Sequence, residues 1–332
     1  MEKTSKQAAA IRYVHNGQGP VLGYSEASGV RILYEDGFAF KDLNKDGKLD
    51  PYEDWRLPPE ERAKDLASKM TIEQIAGLML YSSHQAIPGN MGWFPATYVG
   101  GREFAESGAS PSDLSDQQLE FLLNDHIRHI LVTRVQSPEV AASWNNNVQA
   151  FAESIGLGIP VNNSSDPRHS SDTSKEFNAG AGGAISMWPE SMGLAATFQP
   201  EIAREFGEIA SREYRALGLA TALSPQSDLA TDPRWFRFGM TFGEDPRLAT
   251  DMTRAYIDGF QTSEGKAEIA DGWGCDSVNA MVKHWPGGGS GEAGRDAHFG
   301  YGKYAVYPGG NFEEHLLPFT EGAFRLEGKT GQ

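Results

Sequence analysis

The chain has 332 residues, enough to bury a large hydrophobic core in one α/β domain or in two smaller ones. Its 39% hydrophobic content indicates a folded globular protein, and its 38 glycines and 18 prolines indicate many ordered turns. The formal net charge of -16 would repel a phosphate backbone, so we expect no nucleic-acid partner.

Neither cysteine usage nor hydropathy fixes the compartment. The single cysteine, Cys275, excludes an intrachain disulfide framework. No apolar run reaches the roughly 18 residues that a membrane span needs, so we expect no membrane partner. The first residues, MEKTSKQAAAIRYVHNG, lack the apolar segment of a signal peptide. We therefore expect a periplasmic or secreted protein if a signal was removed, and a cytoplasmic one otherwise.

The first 40 residues are broken by glycine and predict a loose arm or a strand pair. The segment that follows, DLNKDGKLDPYE, fits the calcium-loop pattern, with Gly47 at the sharp-turn position. The predicted ligands are Asp42, Asn44, Asp46, the main-chain carbonyl of Lys48, and a bidentate Glu53. The alternative is an acidic turn whose aspartates cap a helix that begins at Pro51. The agreement of the whole pattern favours a calcium ion in a structural role.

Helical spacing of apolar residues runs from Pro59 to about Tyr81, and Thr71 could cap a second helix within this segment. Residues 84–111 are rich in glycine, proline and aromatic residues, which is typical of a long loop. Beyond them, helices alternate with short apolar strands. Each predicted helix precedes one apolar strand: the helix near 113–127 precedes HILVTRV, the helix near 137–155 precedes IPVNNSS, the helix near 199–216 precedes LATALSP, and the helix near 243–263 precedes SVNAMVKH. This alternation predicts an α/β fold with a parallel sheet.

Charged residues follow three of these strands, where a bland loop would carry Gly, Ser or Asn. They are Asp166, Arg237 and the adjacent pair Lys283 and His284. Chemistry in parallel sheets and barrels collects at the carboxyl ends of strands, so these side chains could meet around one ligand. A carboxylate beside cations suits a neutral polyhydroxylated ligand, because hydroxyls both donate and accept hydrogen bonds. A sugar fits this description better than a phosphate, since PGGGSGEAG lacks the ending of a phosphate loop.

Four segments, in chain order, resemble glycoside hydrolase family 3. The stretch SDLATDPRWFRFGMTFGEDP resembles the family's DPRWGR…ETFGEDP signature, and KHWPGG resembles its KHFPG. The stretches WPESMGLAATFQP and IPVNNSSDPRH resemble its FP-x-x-x-GLAATWDP segment and its strand-end aspartate motif. The resemblance covers about residues 55–325. One departure is Phe236, which stands where the signature usually has glycine.

The resemblance implies an α/β fold of the (β/α)8 TIM-barrel type, incomplete in this chain. We expect an N-terminal arm with the calcium loop at residues 1–55 and a partial barrel domain at residues 56–332. The implied enzyme is an exo-acting, β-glucosidase-like glycoside hydrolase that removes terminal β-D-glucosyl or xylosyl residues with retention, so its partner is a small β-glucoside or oligosaccharide. The implied sugar-binding residues are Asp166, Arg237, Lys283 and His284.

Lys283 and His284 would point to opposite faces of a regular strand. Both reach one site only if the strand ends between them at a kink, which Pro286 and the following glycines supply. The alternative for an isolated Lys-His pair is a solvated strand end. Because the other charged strand ends agree with the motif, we predict sugar binding.

The resemblance also implies what these residues lack. A retaining glycosidase needs two carboxyl groups roughly 5–5.5 Å apart. The family's nucleophile lies in a Ser/Thr-Asp-Trp-like segment beyond KHFPG, its acid/base comes later still, and no such segment follows His284. We therefore expect no catalytic residue in this chain, no hydrolysis by it alone, and no cofactor for the chemistry. The remainder of the enzyme, or a partner chain, should complete the barrel.

Two other functions are open at this point. In β-N-acetylhexosaminidases of the same family a loop after KHFPGHG carries an Asp-x-His pair, and Asp296 and His298 lie in a comparable place. Against this, Gly288 replaces the second histidine, and GYGKYAVYPGG resembles the β-glucosidase branch. The other function is a non-catalytic carbohydrate-binding half-barrel.

Overall fold

The computed structural model describes residues 10–17, 19–92, 95–167, 169 and 184–331. The chain divides into two compact units, Met1–Asn163 and Ser164–Gln332. The predicted division at residue 55 stays a prediction. Within the described ranges, no helix is long and apolar enough to cross a membrane.

The first unit begins with two antiparallel hairpins, which confirms the strand pair predicted for the first 40 residues. Its strands are β1 (Ile11–His15), β2 (Val21–Ser25), β3 (Arg31–Glu35), β4 (Phe38–Asp42), β5 (Gln85–Ile87), β6 (Thr97–Tyr98), β7 (Arg102–Glu103) and β8 (His129–Val135). Its helices are α1 (Pro59–Lys69), α2 (Ile72–Leu78), α3 (Phe104–Ser107), α4 (Asp116–Leu123) and α5 (Pro138–Ser154). Strand β9 (Asn162–Ser165) runs across the boundary between the units.

The predicted second cap at Thr71 is confirmed, and it separates α1 from α2. The Gln74 N–H donates to Thr71 Oγ1 at 3.3 Å, while the Thr71 N–H donates to Gln74 Oε1 at 3.0 Å. This reciprocal capping box satisfies N–H groups that have no partner inside the helix. At the other end of the region, Asp42 closes β4, and residues 51–53 form turns before α1 begins at Pro59. The alternative in which the loop aspartates cap a helix from Pro51 is therefore wrong.

The segment predicted as a long loop, residues 84–111, instead contains the short elements β5, β6, β7 and α3. Residues 85–87, inside the predicted long loop, form β5, which pairs in parallel with β8. Only three residues pair, Gln-Ala-Ile, which is too short a run to show strand alternation among glycine, proline and aromatic residues.

The second unit repeats a helix and a short strand. Its strands are β10 (Thr221–Ala222), β11 (Glu268–Ala270), β12 (Trp273–Gly274) and β13 (Asn279–Ala280). Its helices are α6 (Ser191–Ala195), α7 (Pro200–Ala216), α8 (Pro246–Gln261) and α9 (Phe312–Leu317), which continues into the π-helical turn Pro318–Ala323. Strand β10 pairs in parallel with Ser164 and Ser165 of β9 on one side and with β13 on the other. The predicted α/β class, with parallel strands as in an incomplete barrel, is confirmed.

Helices α7 and α8 approach each other through glycine. A Cβ at Gly259 would lie 2.3 Å from the main-chain oxygen of Arg204, and one at Gly207 would lie 2.8 Å from the Tyr256 oxygen. Aromatic rings fill the space beside this crossing, with Tyr256 stacked on Phe260 at 4.8 Å between ring centroids. The helix pair reaches the sheet through Tyr256, which is hydrogen-bonded to Ser224 just beyond β10, and through the Phe260 main-chain oxygen, which accepts from Val278 just before β13.

Candidate active site

The carboxyl ends of the second unit's parallel strands bring an anion and a cation together. Asp166 follows β9 directly, and Lys283 lies three residues beyond β13. The Lys283 Nζ donates to Asp166 Oδ1 at 2.5 Å, and both side chains are about one-fifth exposed, at 22% and 19%. The ion pair thus remains accessible to a ligand. Hydroxyl groups could accept from the ammonium and donate to the carboxylate.

His284 is oriented from behind by Asp228, a fully buried residue that the sequence analysis did not single out. Asp228 Oδ2 lies 2.8 Å from His284 Nδ1, and Oδ1 accepts from the main-chain N–H groups of His284 at 3.0 Å and Gly288 at 2.5 Å. The Lys283–His284 peptide bond is cis. One carboxylate therefore fixes both the His284 ring and the glycine turn after it.

Arg237 meets the opposite edge of the His284 ring. Its Nη1 lies 3.2 Å from His284 Nε2, and its Nη2 donates to Gln226 Oε1 at 3.0 Å. A guanidinium can only donate, so Nε2 accepts and the ring proton sits on Nδ1, facing Asp228. Arg237 is 8% exposed, and among the described residues it forms no ion pair. Its charge is stabilised by neutral acceptors, which leaves it able to bind polar ligand groups.

Gln226 is the other site residue that sequence reasoning missed. It forms an isolated parallel bridge with Lys283, so it extends the pairing of β10 with β13 by several residues. Its side-chain oxygen accepts from Arg237, while its buried Nε2 has no hydrogen-bond partner in the described part of the chain. A buried amide donor without a partner is costly, and a ligand oxygen would satisfy it. The only sequence signal was its position in a strand-end segment, SPQSD.

These groups line one pocket together with aromatic and apolar side chains. Asp166, Gln226, Arg237 and Lys283 are among its polar lining residues, and Phe206, Leu223 and Tyr256 are among its apolar ones. The Tyr256 hydroxyl is hydrogen-bonded to Ser224 Oγ at 2.8 Å, so the ring is held in place. A pyranose has apolar ring faces and surrounding hydroxyls, and a lining of both polar and apolar groups is complementary to it. His284 does not line this pocket but contacts it through Arg237.

A buried histidine and a partly exposed carboxylate form a second pair beside the pocket. His169 Nε2 lies 2.9 Å from Glu213 Oε2, and Ser186 donates to both oxygens of the same carboxylate at 2.9 Å. Burial alone would raise the pKa of the Glu213 carboxyl, but the hydrogen bonds from His169 and Ser186 outweigh it and lower the pKa below its ordinary value. His169 closes the DPRH motif, and the preceding Arg168 lies outside the described residues.

The predicted Asp-x-His pair forms a dyad. Asp296 is 4% exposed, and its Oδ1 lies 2.5 Å from His298 Nδ1. Trp235 Nε1 donates to Asp296 Oδ2 at 2.6 Å, which ties the dyad to the segment that carries Arg237. Burial would raise the pKa of the Asp296 carboxyl, but the N–H groups of His298 and Trp235 together lower it. The His298 side chain itself is 64% exposed.

The predicted sugar-binding residues thus fall together in the second unit. Asp166 contacts Lys283, and Arg237 contacts His284. Residues 101–323 match the family described as "Glycosyl hydrolase family 3 N terminal domain". The chain belongs to glycoside hydrolase family 3.

Relatives of this family 3 chain are longer than it is. It is 40% identical over 301 residues to "Periplasmic beta-glucosidase/beta-xylosidase" of Dickeya chrysanthemi, covering 90% of this chain and 42% of the relative. It is 39% identical over 265 residues to "Beta-glucosidase C" of Emericella nidulans, covering 78% of this chain and 38% of that relative. The chain therefore spans about two-fifths of the length of these curated relatives.

A solved structure confirms the fold alone. The "glycoside hydrolase family 3 beta-N-acetylglucosaminidase from Paenibacillus sp. str. FPU-7" superposes on 76% of this family 3 chain and 40% of its own with a TM-score of 0.55. The two sequences are 23% identical. The likeness supports the predicted incomplete (β/α) barrel architecture.

Proposed function

We propose that this chain supplies the sugar-binding pocket of an exo-acting β-glycosidase that removes terminal β-D-glucosyl or xylosyl residues. The reaction would be a double displacement with retention, through a glycosyl-enzyme intermediate. No cofactor is proposed for the chemistry, and a calcium ion is proposed in a structural role only.

One observation carries the proposal. Asp166, Arg237, Gln226 and Lys283 meet at one pocket although they come from different strand ends. The pocket offers an accessible ion pair, a guanidinium, an amide donor that has no hydrogen-bond partner among the described residues, and aromatic lining residues. Pyranose hydroxyls could bond to each of these polar groups at once. The names of the Dickeya and Emericella relatives, a β-glucosidase/β-xylosidase and a β-glucosidase, support the same substrate class.

The catalytic carboxyl groups are proposed to lie outside the residues printed here. No Ser/Thr-Asp-Trp-like segment follows His284 in this chain. We therefore propose that this chain binds the terminal sugar, and that hydrolysis requires the remainder of a longer protein or a partner chain that completes the barrel. The whole protein would act in carbohydrate metabolism, and the name of the Dickeya relative supports a periplasmic or secreted location.

The test is calorimetric titration of the 332-residue chain with D-glucose, together with an assay of 4-nitrophenyl β-D-glucoside hydrolysis. We expect binding of glucose without turnover. Arg237→Lys keeps the charge but loses the planar fork that contacts both His284 and Gln226, so affinity should fall about tenfold. Arg295→Lys makes the same change at a half-exposed side chain paired with Glu292, and it should bind glucose normally.

Two results would contradict this function. The first is equal glucose affinity in the wild type and in Arg237→Lys, both correctly folded. The second is turnover by the 332-residue chain that Asp166→Asn abolishes, because catalysis would then reside in the residues printed here.

A β-N-acetylhexosaminidase is the second candidate, favoured by the Asp296–His298 dyad. His298 is exposed on one side and held by a buried carboxylate on the other, an arrangement suited to proton transfer. If this candidate is correct, N-acetylglucosamine should bind more tightly than glucose. The Asp296→Asn variant should also lower turnover of 4-nitrophenyl N-acetyl-β-D-glucosaminide in the complete enzyme. Tighter binding of glucose would decide against it.

A further inference from the structure

The loop that follows β4 begins with a buried carboxylate, one oxygen of which has no hydrogen-bond partner among the described residues. Asp42 is fully buried, with 0% exposure, at the point where β4 ends. Its Oδ2 accepts from the Gly47 N–H at 3.1 Å, but its Oδ1 has no hydrogen-bond partner among the described residues. In the same part of the chain, Asp42 forms no salt bridge. A buried carboxylate oxygen without a partner is destabilising, and a cation at Oδ1 would compensate it.

The Asp42 carboxylate lies against the loop, because its Oδ2 accepts from the N–H of Gly47, which has a φ of +81°. The side chains at the next two ligand positions also form hydrogen bonds within the loop. Asn44 Oδ1 accepts from the Asp46 N–H at 3.1 Å, and Asp46 Oδ1 accepts from the Lys48 N–H at 2.8 Å. Each side chain is thereby folded back over its own loop.

Glu53 covers the loop from the other end. Its Oε1 accepts from the N–H groups of Leu43 at 2.7 Å and Asn44 at 3.2 Å, and its Oε2 accepts from Asp50 at 3.0 Å. Glu53 is only 4% exposed. The carboxylate at the last position of the pattern is therefore already drawn over the residues at its start.

Two lysines lie beside the loop. The Lys45 charge is close enough to interact with that of Asp42, but its Nζ donates to the main-chain oxygens of Leu43 and Glu153, at 3.1 and 2.8 Å. Lys69 Nζ lies 3.2 Å from Asp50 Oδ1. Among the described residues neither lysine forms a salt bridge with Asp42.

We propose that residues 42–53 bind one calcium ion that links β4 to the turns before α1. The donors would be Asp42, Asn44 and Asp46, the Lys48 carbonyl, and Glu53. They are all hard oxygen atoms on a flexible loop, which suits calcium rather than zinc. Among the described residues no three His, Cys, Asp or Glu side chains are already placed to hold a metal, so the three carboxylates would have to close around the ion as it binds. The loop lies outside the residues that match the family, 101–323.

The experiment is calorimetric titration of chelator-treated full chain with CaCl₂, with MgCl₂ as the comparison ion. We expect one calcium site with a dissociation constant of about 10⁻⁵ M and weaker binding of magnesium. Calcium at about one hundred times that constant should raise the melting temperature by about 5 °C over the chelated protein. No heat of binding together with an unchanged melting temperature would overturn the proposal, as would equal affinity for the two ions.

Two variants and one control locate the ion. Asp42→Asn keeps the acceptor for Gly47 but removes the charge, and Asp46→Ala changes an exposed side chain that folding does not need. Both should weaken calcium binding at least tenfold. Asp251→Ala makes the same change as Asp46→Ala at a 55% exposed side chain outside the loop, so it should bind calcium like the wild type. If Asp251→Ala weakened binding as much as Asp46→Ala, or if Asp46→Ala had no effect, the assigned donors would be wrong.

Discussion

A single buried carboxylate sets which nitrogen of His284 carries its proton. The Asp228 carboxylate accepts from His284 Nδ1–H, and the Arg237 guanidinium donates to His284 Nε2. Both neighbours therefore select the tautomer with its proton on Nδ1. Asp228 contacts no part of the pocket directly, since it is absent from the pocket lining. Its effect on a bound sugar is transmitted through the orientation of His284 and, beyond that ring, of Arg237.

Replacing Asp228 with asparagine should reverse this tautomer. The amide of an asparagine can donate to Nδ1, which would place the ring proton on Nε2, opposite the donors of Arg237. Two donors would then face each other, and we expect glucose affinity in Asp228→Asn to fall about tenfold. The ¹⁵N shifts of the His284 ring report the tautomer, and titration calorimetry reports the affinity.

The control for Asp228→Asn is Asp251→Asn, the same change at a side chain that is 55% exposed and paired with Arg254. It should leave both readouts unchanged. If Asp228→Asn loses affinity while the His284 ring keeps its proton on Nδ1, Asp228 supports the fold but does not position His284.

The packing of α7 on α8 depends on a glycine where no side chain fits. In Gly259→Ala the new Cβ would lie 2.3 Å from the Arg204 main-chain oxygen, so one helix must move. We expect a loss of about 1–3 kcal/mol in the free energy of unfolding from overpacking, reduced by the gain of at most about 1 kcal/mol that alanine brings to a helix. Urea denaturation measures the difference.

Gly300→Ala is the matched control for Gly259→Ala. No atom lies within 4 Å of a Cβ at Gly300, and its φ is not positive, so the free energy of unfolding should change little. Because Tyr256 of α8 lines the pocket, a shift of this helix should also weaken glucose binding. Equal stability of the two variants would mean that the helices separate at no cost.

Local sequence rules predict most of the helices and the order of the longer strands. They do not predict elements whose identity depends on long-range pairing. Thr71 with Gln74 forms a capping box that is visible as a spacing of three residues. Even the two-residue strand β10, Thr221–Ala222, is predictable, because the surrounding segment LATALSP is apolar. By contrast, β5 has three paired residues within a loop-like composition, and only its pairing with β8 identifies it.

The same limit applies to the site. Asp166, Arg237, Lys283 and His284 were predicted because they stand in motifs at strand ends. Asp228 stands at the start of the SDLATDPRW stretch and Gln226 just before it, and their roles depend on which partner their side chains meet, at separations of 56 and 11 residues. A spacing rule cannot supply such a partner, whereas the pairing of β10 with β13 does.

At the scale of the molecule, stability depends on pH through groups whose burial and partners change between the folded and unfolded states. Burial lowers the pKa of His315 from its ordinary 6.5, and the nearby carboxylates of Glu314 and Asp228 offset this only in part. The ring packs edge-on against Tyr307. A lowered histidine pKa means that the unfolded chain takes up a proton first as pH falls, so the stability from this group is present above 6.5 and decreases below it.

Glu213 adds a second decrease at lower pH. Its pKa is lowered from 4.5 in the fold, where His169 and Ser186 hydrogen-bond to the carboxylate, so its contribution is present above 4.5 and is lost as pH falls through the lowered value. We therefore expect the melting temperature, followed by circular dichroism, to be level above 6.5, to decline below it, and to decline again below 4.5. His315→Gln should remove most of the first decline, and Glu213→Gln part of the second. Glu321→Gln, at a 39% exposed side chain paired with Arg325, should alter neither decline in the melting temperature. A wild-type curve that is level down to 4.5 would show that His315 is protonated equally in both states.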